Sequence, residues 1–230
     1  MRTVSTLLGI SLTLLLAGCA SNGDPRDPLE PMNRGIHSFN EGLDRTVLKP
    51  VASGYRAALP DFAQTGVRNF FSNLDDVAVL ANDILQLKLE QASSDLLRLG
   101  VNSVFGFLGI LDVASEMRLR KHNEDFGQTL GRWGVGTGPY LVLPFFGPSN
   151  FRDTAGLAVD LEYTDLLRYE KDIPTRNQAW AVRTVSRRAE LLDAKKTIDA
   201  AALDPYEFTR DLYLEHRRSL VYDGKPPLEE

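Results

Sequence analysis

The chain carries three histidines, His37, His122 and His216, far apart in sequence. Histidine acts as acid, base or metal ligand when suitable partners stand at set spacings. Here no His-Glu-x-x-His, no Gly-x-Ser-x-Gly elbow and no cysteine pair accompanies them. The acidic pairs Asp75-Asp76 and Glu124-Asp125 read as solvated or capping carboxylates. The pattern points away from an enzyme, and it holds no cofactor signature and no metal site.

One thiol does have a chemical context. Met1-Arg2 gives a short positive start, and Leu7 to Leu16 is an apolar run too short to span a bilayer comfortably. Leu16-Ala17-Gly18-Cys19 then matches a lipobox, in which the cysteine thiol takes a diacylglycerol. Residues 1–18 read as a lipoprotein signal peptide, and Cys19 as the lipidated residue. The alternative is an ordinary secretory peptide ending near a cysteine. Each buried acyl methylene contributes about 0.8 kcal/mol, so two or three chains anchor a protein durably. Ala20 follows, not Asp, which in diderm bacteria sorts a lipoprotein to the outer membrane. Cys19 is the only cysteine, so packing rather than disulfides must hold the fold.

A third candidate is the glycine cluster Gly131, Gly134, Gly136 and Gly138. A dinucleotide fingerprint needs a strand before it and a helix after it. Pro139 and the apolar run Tyr140 to Phe146 follow instead. The cluster reads as a hinge beside an apolar loop, or as a plain surface turn.

The elements that would position these residues are mostly helices. Asp204-Pro205-Tyr206-Glu207 is an N-terminal cap that predicts a helix to about Tyr222. Apolar periodicity predicts helices over Asn33 to Leu43, Leu74 to Leu87 and 175–197. Strand signal is confined to Tyr140–Phe146, interrupted by Pro144, so a hairpin or extended loop is expected. The stretches Leu74–Leu87 and Val101–Ala114 are apolar on more than one face. Each is either a central core helix or a helix in contact with lipid. Residues 19–26 read as the acylated cysteine and a flexible tether, 27–222 as one helical domain, and 223–230 as a disordered tail. With net charge −5 and no basic run, the chain has no footprint for nucleic acid.

A set of short motifs then falls in a recognisable order. Asp27-Pro28-Leu29-Glu30 is followed by Asn33-Arg34, Phe39-Asn40, Leu43-Asp44 and Lys49-Pro50-Val51-Ala52. Asn69-Phe70, Asn73-Leu74, Leu85-Gln86 and Val101-Asn102-Ser103 come next. The densest part runs from Asp125-Phe126-Gly127-Gln128 through Trp133-Gly134-Val135-Gly136 and Gly138-Pro139-Tyr140. It ends with Leu143-Pro144, Gly147-Pro148 and Arg152-Asp153. Over roughly residues 27–210 the chain resembles the VacJ/MlaA lipoprotein family.

The resemblance implies a mainly α, ring-like protein within the outer membrane, with an amphipathic channel and a short hairpin or extended loop beside it. It implies removal of misplaced phospholipid from the outer leaflet, without catalysis. The implied partners are phospholipid, a porin trimer and a soluble periplasmic carrier that feeds an ATP-driven transporter. Gly134, Gly136 and Gly138 match the family's flexible segment. Tyr140, Leu141, Leu143, Phe145 and Phe146 would line the gate. Phe39, Asn40 and Asp44 match the helix that controls access from the outer leaflet, with Gly42 lowering its helix propensity. Arg152 and Asp153 would touch a headgroup or form a structural ion pair.

Overall fold

The computed structural model describes residues 24–227. The signal peptide and Cys19 lie outside the described residues.

Helix α1 (Glu30–Leu43) starts with a proline in its first turn and runs through a π turn (Asp44–Leu48) into α2 (Lys49–Ala58). The residues at both junctions keep helical angles, so the backbone does not break. Pro50 explains the π turn: it has no N–H for the carbonyl four residues back, and its ring crowds that turn. Lys49 N–H reaches back five residues to Asp44 instead. Pro60 then leads into the long α3 (Asp61–Leu85), and Leu87, in left-handed backbone, turns the chain into α4 (Leu89–Val104).

The chain from Val101 to Ala114 is not one helix. It leaves helical geometry after Val104 and turns through Phe107, Leu108 and Gly109, all with positive φ. Gly109 lies against α3 so closely that a Cβ would stand 2.3 Å from that of Asn73. Arg98 pins these turns, donating to Leu119 O at 2.6 Å and to Asp112 at 3.1 Å. A single turn, α5 (Val113–Glu116), and a loop lead to α6 (Phe126–Arg132), capped by Asp125.

Strands β1 (Tyr140–Leu143) and β2 (Gly147–Asn150) form an antiparallel hairpin, one of the two forms expected, with its second strand beyond the stretch that carried strand signal. Helix α7 (Phe151–Val159) follows, capped by Asn150, then a π turn (Asp160–Thr164) and a 3-10 turn (Leu166–Tyr169). Its Gly156 crosses Gly127 of α6, where a Cβ would meet backbone at 2.3 Å. The expected helix over 175–197 is two, α8 (Ile173–Glu190) and α9 (Leu192–Ala201), hinged at Leu191. Last comes α10 (Pro205–Val221), with Asp204 capping as its sequence predicted.

Asp24 bonds Arg26 and Arg210, so the tether is held from residue 24 onward. Asp223 accepts from Lys88 at 2.6 Å, so the tail is held at its start.

Contacts close these elements into a ring. Asn33 of α1 bonds Tyr140 and Val142 on β1. Tyr140 packs on Tyr206 and Tyr213 of α10. Arg217 of α10 bonds Asp125 at the start of α6, and Thr129 of α6 bonds Asn82 of α3 at 2.7 Å. Helix α3 meets α8 through Asp75 with Arg187, and α8 returns to α2 through Ala189 on Ala52.

Burial is inverted. Among the described residues twelve hydrophobic side chains are buried against twenty polar or charged ones, so apolar packing alone cannot define this interior. Helix α3 buries Asp76, Asn82 and Asp83 while Ile84 and Leu85 face out. Helix α4 buries Asp95, Arg98 and Asn102 while Leu89, Leu96, Leu97 and Val104 face out. Phe105, Phe107 and Leu108 extend that exposed apolar surface. A core helix would point these exposed residues the other way. No described helix is long and apolar enough to cross a membrane.

Candidate functional site: a passage through the ring

Inside the ring three cavities meet across shared walls. The middle one, of about 410 Å³, lies between α3, α6, α7, α8 and α10. It shares Asp75, Asn123, Arg183 and Arg187 with a cavity of about 260 Å³ on one side. On the other side it shares Asp125, Phe146, Leu157 and Asp160 with one of about 230 Å³. Side by side they form the candidate passage, whose wall alternates Leu74, Ala78, Leu157 and Leu161 with these charged groups. A larger cleft, about 610 Å³, opens between α1, α8 and α9. Its wall is dominated by Arg34, Glu41, Asp44, Lys49, Arg188 and Lys195, so it offers an acyl chain little shelter.

The charges of the passage are fixed from behind. Asp125 accepts from Arg217 at 2.5 and 2.8 Å and caps α6 through Gln128 N–H at 2.8 Å. Burial alone would raise its pKa, but the Arg217 guanidinium holds the carboxyl below the usual range. Asp160 accepts from Phe126 N–H at 2.9 Å, and burial pushes its carboxyl up. Among the described residues no group of histidine, cysteine or acidic side chains is arranged to hold a metal.

The hairpin forms one rim of the passage. Phe146 lines two of the cavities and Leu143 one. Phe145 is exposed at the tip. Leu141 is half-buried opposite Ser149. Tyr140 is only 1% exposed and faces the core between Tyr206 and Tyr213, away from the passage. Strand alternation explains the split, because Tyr140 and Val142 share the inward face.

Helix α1 grips this rim. Asn40 donates to Leu143 O at 2.9 Å and accepts from Phe145 N–H at 2.9 Å. Phe39 packs edge-on against Phe145, ring centres 5.6 Å apart. Asp44 instead accepts from Arg188 at 2.5 and 2.8 Å, fastening α1 to α8.

The glycines divide by role. Gly134, with φ +90°, closes α6: its N–H reaches Gly131 O and Val135 N–H reaches Leu130 O. Gly131 is forced by packing, since a Cβ would stand 2.9 Å from Val221 and Arg152. Gly138, with φ +67°, sits close to Phe151. Gly136 has neither constraint.

Arg152 and Asp153 are buried together. Asp153 accepts from Arg152, Asn150, Tyr213 and Arg217, which occupies both oxygens. The geometry is that of a structural ion network bracing α7 against α10.

The MlaA lipoprotein family matches residues 25–220. The chain belongs to the MlaA lipoprotein family. The intermembrane phospholipid transport system lipoprotein MlaA of Escherichia coli (strain K12) is 34% identical over 221 residues, 93% of this chain and 87% of the relative. The corresponding protein of Haemophilus influenzae (strain ATCC 51907 / DSM 11121 / KW20 / Rd) is 32% identical over 234 residues, 98% of this chain and 93% of the relative. A solved structure described as "Structural basis for maintenance of bacterial outer membrane lipid asymmetry" has a TM-score of 0.74 at 33% identity. It covers 85% of this chain and 98% of that one.

Several residues of the passage carry no local sequence signal. Asp75 reads from the sequence as a solvated acid, and no motif marks Arg183 or Arg187. Their four-residue spacing on α8 is visible, but their shared partner Asp75 lies more than a hundred residues away. Leu157 and Leu161 carried no signal.

Proposed function

We propose that this MlaA lipoprotein moves phospholipid from the outer leaflet of the outer membrane through its ring interior to a soluble periplasmic carrier, breaking no bond. The single observation that carries this is the inverted burial around an amphipathic passage. Apolar residues on α3 and α4 face outward as a lipid-contacting wall, and charged groups line the route within. A phospholipid needs both, because each exposed methylene costs about 0.8 kcal/mol in water while the phosphate needs polar partners. A closed ring of helices also satisfies its own backbone hydrogen bonds within hydrocarbon.

In this reading Cys19 carries the lipid anchor after removal of residues 1–18, at the outer membrane and facing the periplasm. Residues 27–222 act as one domain. Phe39, Asn40 and Asp44 hold α1 against the hairpin and α8, setting access from the outer leaflet. Phe145 and Phe146, with Leu143, form the gate, while Tyr140 and Leu141 anchor it. Gly134, Gly136 and Gly138 let the gate move, with Gly136 as the free joint. Arg152 and Asp153 brace the wall, with Asp153 bordering the smallest of the three cavities and both its oxygens already engaged. A porin trimer alongside supports the ring.

The test is extraction of the full-length protein from membranes and mass spectrometry of bound lipid. Intact phospholipid should co-purify. Release of fatty acid or headgroup from added labelled phospholipid would instead make the protein a hydrolase.

A further inference from the structure

One carboxylate in the passage bridges two arginines. Asp75 of α3 stands where the middle cavity meets its smaller neighbour. Its Oδ1 accepts from Nη2 of Arg183. Its Oδ2 accepts from Nη2 of Arg187 at 2.6 Å. The two arginines lie four residues apart on α8, hence on one face. Arg183 is 11% exposed at its side chain, lies over the Trp180 ring at 5.2 Å, and donates Nη1 to Asp165 at 3.3 Å. Its Nε is buried with no hydrogen-bond partner. Arg187 is 60% exposed at its side chain.

Two guanidinium groups around two adjacent oxygens is the arrangement that binds phosphate. A phosphodiester presents two unesterified oxygens and one negative charge, as a carboxylate does. Asp75 therefore occupies the place that such an anion would fill. We propose that Arg183 and Arg187 form a phosphodiester site within the passage, at which a lipid headgroup phosphate replaces Asp75 as the bridging anion. The proposal rests on the passage reading and names its polar station.

The exchange avoids a large electrostatic cost. One monovalent anion takes another's place between the guanidinium groups, so the buried Arg183 is not left unpaired. The displaced carboxylate stays in a neighbourhood that also holds Arg68 and Lys121, each already paired with an acid, Glu190 and Asp76. Leu74, Ala78 and Leu161 on the same cavity wall cover the glycerol and the first acyl methylenes. Asp75 also acts as a competitor, which keeps the station from trapping its cargo.

Competition gives a signature that a structural ion cluster lacks. Full-length protein in detergent is titrated with dihexanoyl phosphatidylethanolamine, dihexanoylglycerol and inorganic phosphate, with melting curves to confirm folding. Arg187→Ala should weaken phospholipid binding by about tenfold, the loss of one charge-assisted donor. Asp75→Asn should tighten it several-fold. Dihexanoylglycerol, lacking phosphate, should respond to neither substitution. Equal phospholipid affinity in both variants and the parent, or weakening in both, overturns this site while leaving the passage intact. Binding of inorganic phosphate with the phospholipid refused overturns its assignment to lipid. Failure of both glycerolipids to bind the parent removes the passage itself.

Discussion

Asn40 of α1 and Phe145 at the hairpin tip are joined by a hydrogen bond of 2.9 Å, from the Phe145 N–H to the Asn40 side-chain oxygen. The same Asn40 amide donates to Leu143 O, so one side chain fastens both ends of the turn. Asn40→Ala removes both bonds, each worth about 1 kcal/mol. Amide exchange at Phe145 should accelerate by one to two orders of magnitude, at roughly 1.4 kcal/mol per tenfold. Unchanged protection at Phe145 would mean that α1 does not restrain the gate.

The glycines should separate by substitution. Gly134→Ala forces a side chain into left-handed backbone at the close of α6 and should cost about 1 kcal/mol of stability. Gly136→Ala meets open space and should cost less than half of that. Gly136→Pro stiffens the same joint, so it should slow lipid transfer while leaving the melting temperature within about 3 °C. Transfer at the parental rate in Gly136→Pro would exclude the joint.

Two carboxyls predict opposite pH responses. The Arg188 bond holds Asp44 below the ordinary 3.8, so its stabilisation is complete above that value and is lost as pH falls below it. Asp44→Asn should flatten that acid limb of a melting-temperature profile. Asp83 is fully buried with neither oxygen hydrogen-bonded. Burial, then the neighbouring Asp95 and Glu124, push its carboxyl up to about 7. A raised acid binds its proton more tightly when folded, so stability falls as pH rises from 3.8 to about 7 and then levels. Asp83→Asn should abolish that decline. A parental decline that persists in the variant would assign it to other groups.

The exposed face of α4 should tolerate only apolar residues in a bilayer. Leu97→Glu places a charge on the outward wall at a cost of roughly 2–4 kcal/mol if that wall meets hydrocarbon. The variant should be released from acyl-chain contact, read by photo-crosslinking from a neighbouring position such as Leu96. In detergent-free buffer Leu97→Glu should also aggregate less than the parent. Equal crosslinking to lipid in both would place α4 outside the membrane.

Much of this arrangement was legible in local signals. Asp204 before Pro205 announced α10, and Pro144 between apolar residues announced a hairpin. What local pattern could not settle was direction. The apolar runs around Leu74–Leu87 and Val101–Ala114 fit a core helix or a lipid-facing one equally well. The answer depends on Asp83, Asp95 and Arg98 finding an interior shared by two helices, which is a tertiary fact. The break after Val104 was likewise invisible, because it depends on Arg98 anchoring turns up to twenty-one residues later. For the glycines, composition suggested one shared freedom, whereas Gly131 is set by packing on Val221 and Gly134 by the cap of α6.

The central claim is that a phospholipid occupies the interior of the ring. The most direct measurement places a photo-crosslinking residue at Leu161, on the passage wall, and at Leu203, fully exposed outside it, in full-length protein within native membranes. The account predicts covalent phospholipid at Leu161 and little at Leu203. Crosslinks absent from Leu161 while outward α4 positions such as Leu96 capture lipid would contradict it, leaving a protein that sits in lipid but carries none through.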